Sequence, residues 1–144
     1  HMTVVVSEFG QLGRYVQMDN RVFRAIKAAT PGPYTFILEA TREVPRVMQH
    51  PRKRTIGVRV PDHVTTLALL DRLGEPLISS TLIAPGETEP MNDGWQINEE
   101  LGHLLDGVLD SGDVPRDPTT VIDLTGDEPV IVRRGGGNPS LFEP

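Results

Sequence analysis

The spacing of apolar residues along this chain changes period several times, and each change predicts an element. TVVV, residues 3–6, is a continuous β-branched run that predicts a strand almost at once. In DNRVFRAIKAAT, Val22, Phe23, Ile26 and Ala29 recur at helical spacing behind Asp19 or Asn20 as N-cap. TPGP ends that helix, because proline cannot continue it and Gly32 permits the turn. YTFILEAT and RTIGVRV read as strands, joined by a basic connection with two prolines.

PDHVTTLALLDRLG is the clearest helix, with Asp62 as the expected cap, Val64, Leu67, Leu70 and Leu73 as its stripe, and Gly74 closing it. Leu77-Ile78 then leads into the hydroxyls Ser79, Ser80 and Thr81 as another strand. WQINEELGHLL predicts a helix, DGVLD a short strand, and PTTVIDLT with EPVIVRR a tight hairpin turning at Gly126-Asp127. GGGNPSLFEP has no period. The fold class is therefore α/β, a twisted open sheet of mixed parallel and antiparallel strands. Residues 1–136 form its domain, and 137–144 are a loose C-terminal tail.

Composition adds bounds. With 144 residues, 38% hydrophobic and 24% charged, the chain suits one globular domain. No apolar run approaches the ~20 residues of a membrane span, and a cytoplasmic location is the default. Cysteine is absent, which excludes disulfides and thiolate zinc sites. The net charge is −6, yet Arg42, Arg46, Arg52, Lys53, Arg54 and Arg59 cluster within one stretch. A local basic stretch in an acidic protein points to a polyanionic ligand, and a solvated basic hairpin explains it equally well.

Several chemistries find no support. His1, His50, His63 and His103 share no ligand spacing, so no metal site is expected. No Walker loop, dinucleotide fingerprint or nucleophile elbow occurs, and Asp106, Asp110, Asp113 and Asp117 read as turn and cap residues. What remains is polar groups at strand ends: Arg59, Ser79 to Thr81, Thr119-Thr120 and Arg133-Arg134. Ligands of open α/β sheets sit beyond strand ends, and arginine's planar fork suits carboxylate and phosphate. Strand alternation assigns Ser79 and Thr81 to the ligand side and Ser80 to the packing side. The competing reading has the hydroxyls serving turns and the arginines solvated.

PGPYTFIL (31–38), TIGVRVP (55–61), GEPLISST (74–81), PTTVIDLT (118–125) and VRRG (132–135) stand in the order found in the Sua5/YciO/YrdC family. Over nearly its whole length the chain resembles that family, its YciO branch in particular. The resemblance implies a YrdC/RibB-like sheet with a basic concave face, here as a C-terminal fragment lacking the family's N-terminal third. It also implies an L-threonylcarbamoyladenylate synthase-like nucleotidyltransferase, using ATP, L-threonine and bicarbonate in tRNA threonylcarbamoyladenosine (t6A) modification.

Carried over by position, Arg59, Ser79 and Thr119 would bind L-threonine, and Thr55, Thr81 and Arg133 would bind ATP. Mg2+ would come with the ATP, and no catalytic residue is singled out. Arg52, Lys53 and Arg54 would be the RNA-binding rim, for tRNA or double-stranded RNA, if the basic face serves RNA or the ribosome. A third reading is a catalytically inactive nucleotide-binding relative. Thr81-Leu82-Ile83 replaces the family's Ser-Ala-Asn, and one lost oriented polar contact costs about 1–3 kcal/mol. With about half a pocket the chain alone is expected to be inactive, and its unpaired sheet edge predicts a homodimer through exposed strands.

Overall fold

The computed structural model describes residues 2–112, 114–115 and 117–143. The strands are β1 (Thr3–Val5), β2 (Tyr34–Glu39), β3 (Thr55–Arg59), β4 (Leu77–Ser79), β5 (Thr120–Asp123) and β6 (Val130–Arg133). The α-helices are α1 (Asn20–Ala29), α2 (Val64–Leu73) and α3 (Gly94–Leu101). One six-stranded sheet runs in the order β4-β1-β3-β2-β5-β6. β1/β3 and β2/β5 are parallel, and β1/β4, β2/β3 and β5/β6 are antiparallel. The expected open mixed α/β sheet is what forms. Two compact units divide the chain, residues 1–80 with 119–144, and residues 81–118.

Alternation along the strands builds the core of the larger unit. Val4 and Val6, Ile56, Val58 and Val60, Tyr34, Phe36 and Leu38, and Ile122 and Leu124 are all buried in one cluster. Val22, Ile26 and Ala29 of α1 join it, as does Leu12 from the 3-10 helix Phe9–Arg14. Each such side chain removed from water contributes about 1.5–3 kcal/mol. Asp19 caps α1, its carboxylate accepting from the Val22 N–H at 2.8 Å. Phe23, expected in the stripe, is instead exposed.

Several local expectations are corrected. The cap of α2 is His63, not Asp62; its Nδ1 accepts from the Thr66 N–H at 3.3 Å. Of the α2 stripe only Leu70 is buried, while Val64 is 82% exposed. DGVLD forms no strand, and Asp110 takes the turn role expected of it, accepting from the backbone N–H of Gly112 at 2.9 Å. Asp113 lies outside the described residues. The β5/β6 hairpin forms, but through residues 124–129 and with an irregular register at Val121/Ile122. Asp123 takes the Thr125 N–H at 2.9 Å and hydroxyl at 2.6 Å, and Arg21 of α1 donates to the carbonyls of Gly126 and Asp127. These bonds hold a wider loop than a two-residue turn.

The tail is corrected as well, because it docks. Phe142, in a 3-10 helix Pro139–Phe142, is 3% exposed and lies 5.6 Å from the Phe36 ring and 6.0 Å from Tyr34. The Tyr34 hydroxyl donates to the Asn138 carbonyl at 2.8 Å, and buried Thr120 donates to that of Gly137 at 2.6 Å. A Cβ at Gly137 would stand 2.7 Å from the Tyr34 ring, so only glycine admits this approach. One aromatic and a few backbone bonds carry no sequence period, which is why the segment read as loose.

Candidate anion-binding site

The sheet face away from the core carries the site. Along β3 the residues between Ile56, Val58 and Val60 are Gly57 and Arg59, and along β2 Thr35 lies between Tyr34 and Phe36. Phe36 opposes Val58 antiparallel, and one further step of that register sets Thr35 opposite Arg59. Thr35 pairs with Val121, and Val121 with Arg133. Arg59, Thr35, Val121 and Arg133 thus form a row across four strands, about 4.8 Å apart at each step.

Arg59 is half-buried, and its Nε is buried without a hydrogen-bond partner. Burial, and then the Arg133 charge, lower its pKa from the usual guanidinium value. An unmatched buried donor costs free energy that a bound acceptor would restore. Arg133 is differently placed. Its Nε and Nη2 donate to the Thr119 carbonyl at 3.1 and 2.9 Å, and Nη2 also reaches the Thr119 hydroxyl at 3.1 Å. That hydroxyl lies 2.7 Å from the hydroxyl of Thr35.

Among the described residues no carboxylate neutralises the pair. The ion pairs among the described residues are Arg14–Glu43 at 3.5 Å and Arg134–Glu143 at 2.6 Å. Asp123, the carboxylate in the next row, is occupied by Thr125. Two guanidiniums with hydroxyl donors and no counter-charge among the described residues form a surface suited to an oxyanion.

Of the residues expected in the site, Arg59, Thr119 and Arg133 are brought together. Ser79 lies in the adjacent row, in register with Thr3 and, through it, Gly57. A Cβ at Gly57 would come within 3.0 Å of Thr35 Cγ2 and 3.1 Å of Thr3 Oγ1, so that row has a bare backbone floor. Thr55 begins β3 while Arg59 ends it, about 13 Å apart at the rise of a strand; it is not part of this cluster. Arg52, Lys53 and Arg54 are exposed on a tight turn at that far end. There His50 Nδ1 accepts from the N–H groups of Arg52 and Lys53 at 3.2 and 3.1 Å, and Arg54 adopts a φ of 56°.

The assignment of Ser79 and Thr81 to one strand face is corrected. β4 stops at Ser79, and Ser80 is exposed rather than packed inward. Thr81 is exposed and begins the smaller unit. Thr35 was missed. The alternation of Tyr-Thr-Phe-Ile-Leu already set it on the face of Arg59, opposite the large apolar residues.

A hollow of about 420 Å³ elsewhere in the larger unit is lined by Phe9, Gly10, Gly13, Val16, Met18 and Phe23, among others. None of the arginines borders it. Among the described residues no group of three His, Cys, Asp or Glu is arranged to hold a metal. Among the described residues no helix is long and apolar enough to cross a membrane.

Fold and site together define an open α/β sheet protein with a candidate oxyanion-binding face. The chain belongs to the Sua5/YciO/YrdC family, whose model, described as telomere recombination, matches residues 1–135. It is 42% identical over 142 residues to YciO of Escherichia coli K12, covering 99% of this chain and 69% of that protein. The crystal structure of E. coli YciO superimposes with a TM-score of 0.95 over the same shares. The threonylcarbamoyl-AMP synthase of Pyrococcus abyssi is 31% identical over 107 residues, 74% of this chain and 31% of the enzyme. The structure of P. abyssi Sua5 complexed with L-threonine matches with a TM-score of 0.83 at 26% identity, over 93% of this chain and 39% of that one.

Proposed function

We propose that this chain carries the L-threonine- and ATP-binding core of a threonylcarbamoyl-AMP synthase-like protein linked to tRNA threonylcarbamoyladenosine (t6A) modification. The observation that carries the reading is the buried, partnerless Nε of Arg59 beside a second guanidinium. The threonine carboxylate satisfies that donor, with Ser79 and Thr119 beside the amino acid. Arg133 meets the nucleotide phosphates. Thr55, some 13 Å along the strand, contacts the far end of the nucleotide. The likeness to a Sua5 complexed with L-threonine supports the amino-acid half of this reading.

The reaction asks for positioning and charge neutralisation. The threonine amine adds to bicarbonate and water leaves, giving a carbamate. A carbamate oxygen then attacks the α-phosphorus of ATP, and the bond to pyrophosphate breaks. Arg59 orients the substrate through its carboxylate, and Arg133 offsets phosphate charge. Mg2+ arrives with the triphosphate, held by its oxygens.

Calorimetric titration of the chain with L-threonine tests the binding core. Saturable binding that disappears in Arg59→Met supports it; equal heats in both proteins refute it. For the full-length protein, pyrophosphate release must require threonine and bicarbonate together.

A second reading, an RNA-binding module, rests on the exposed Arg52-Lys53-Arg54 turn, whose side chains form none of the ion pairs found among the described residues. A third, an inactive nucleotide-binding relative, rests on exposed Ile83 where the family resemblance leads one to expect an asparagine amide. ATP binding without pyrophosphate release separates it from the first.

A further inference from the structure

Between Arg59 and Arg133 the sheet presents Thr35, a residue that the preceding reading leaves without a role. Its hydroxyl lies 2.7 Å from that of Thr119, and either oxygen serves as donor. The Thr119 oxygen also accepts from Arg133 Nη2 at 3.1 Å. Proton counting then restricts what the pair can offer. If Thr35 donates to Thr119, the Thr119 proton is free; if Thr119 donates to Thr35, the Thr35 proton is free. Either way two hydroxyls linked in this manner hold one O–H for an outside acceptor.

We propose that Thr35 is a positioning residue of this site: it holds the Thr119 hydroxyl so that the pair's single free O–H addresses an anion lying between Arg59 and Arg133. The proposal rests on the anion-binding reading of the sheet face. Three features of Thr35 favour it over a simple packing pair. It is directly opposite Arg59 in the extended register and shares a row with Arg133. It is only half-buried, so the hydroxyl is not required to satisfy a sealed interior. Its methyl lies 3.0 Å from where a Cβ at Gly57 would be, so the side chain stands over that bare floor.

The test compares the intact chain with Thr35→Val, which keeps the shape, and Thr35→Ser, which keeps the hydroxyl. L-Threonine titration is the first readout. Thr35→Val should weaken binding about tenfold, the effect of one lost oriented hydrogen bond, while Thr35→Ser stays within about twofold of the parent. Equal affinity for Val and parent, or an equal loss in Ser and Val, overturns the proposal. The second readout needs no ligand. The Nε–H of Arg133 is followed by nitrogen-resolved NMR for its exchange with water. Thr35→Val should speed that exchange by loosening Thr119, and Thr35→Ser should restore it. Unchanged exchange in Thr35→Val overturns the proposal. If the parent fails to bind threonine, the functional reading falls, and this second readout still decides the positioning role.

Discussion

Arg133 grips the carbonyl oxygen of Thr119 with two nitrogens, Nε at 3.1 Å and Nη2 at 2.9 Å. A guanidinium held in this way has lost its rotameric freedom before any ligand arrives, and its outer edge is aimed by the backbone of β5. Lysine cannot reproduce the fork. Arg133→Lys should therefore weaken pyrophosphate binding about tenfold while the far-ultraviolet circular dichroism spectrum stays the same. Equal affinity in the two proteins would show that only the charge matters.

Arg59 should separate stability from binding. Its unmatched Nε and the neighbouring Arg133 charge both disfavour the folded, charged state. Arg59→Met is expected to melt at the same temperature as the parent or higher. L-Threonine at about 100 times its dissociation constant adds ~2.7 kcal/mol to the parent, and it should add nothing to the variant. A variant that melts several degrees lower without ligand refutes the account of Arg59 as a strained donor.

Phe142 should matter more than its place near the chain end suggests. Its ring closes a cluster with Tyr34 and Phe36. Phe142→Ala should cost about 3 kcal/mol in urea unfolding. Gly137→Ala should also destabilise the fold, because the added Cβ meets the Tyr34 ring at 2.7 Å. Unfolding midpoints equal to the parent would mean that the segment only rests on the surface.

The basic turn makes a salt prediction. If Arg52, Lys53 and Arg54 contact RNA phosphates, replacing all three by glutamine should lower the slope of log affinity against log salt by about 2. An unchanged slope removes the turn from the interface.

The sheet edge makes a prediction about mass. β6 pairs on one side only, and Val132 on it is 57% exposed. Pairing of that edge between two copies should give twice the 15.8 kDa chain mass in sedimentation, and Val132→Lys should return it to one. A parent sedimenting as a single chain at tens of micromolar refutes such pairing.

The strands of the core and α1 were legible because one face of each is buried and apolar, whereas α2 was legible from its apolar spacing although only Leu70 of that stripe is buried. Arg59, Thr119 and Arg133 were legible as polar groups at strand ends, and their family likeness agreed. Three things were not legible. Thr81 leaves the strand because β4 is only three residues long, and alternation says nothing about where a strand stops. The docked tail owes its place to one phenylalanine and to the missing side chain of Gly137, neither of which has a period. Thr35 escaped notice because a single hydroxyl inside an apolar run is an ordinary feature of strands until its cross-strand partner is known.

The row Arg59, Thr35, Val121, Arg133 draws one residue from each of four strands spread over residues 34–133. No partly folded intermediate missing one of those strands can present the full set of donors. Occupancy is therefore tied to global rather than local opening: an anion seated there should slow amide exchange throughout β2, β3, β5 and β6 together, like a clasp that joins separate ribbons.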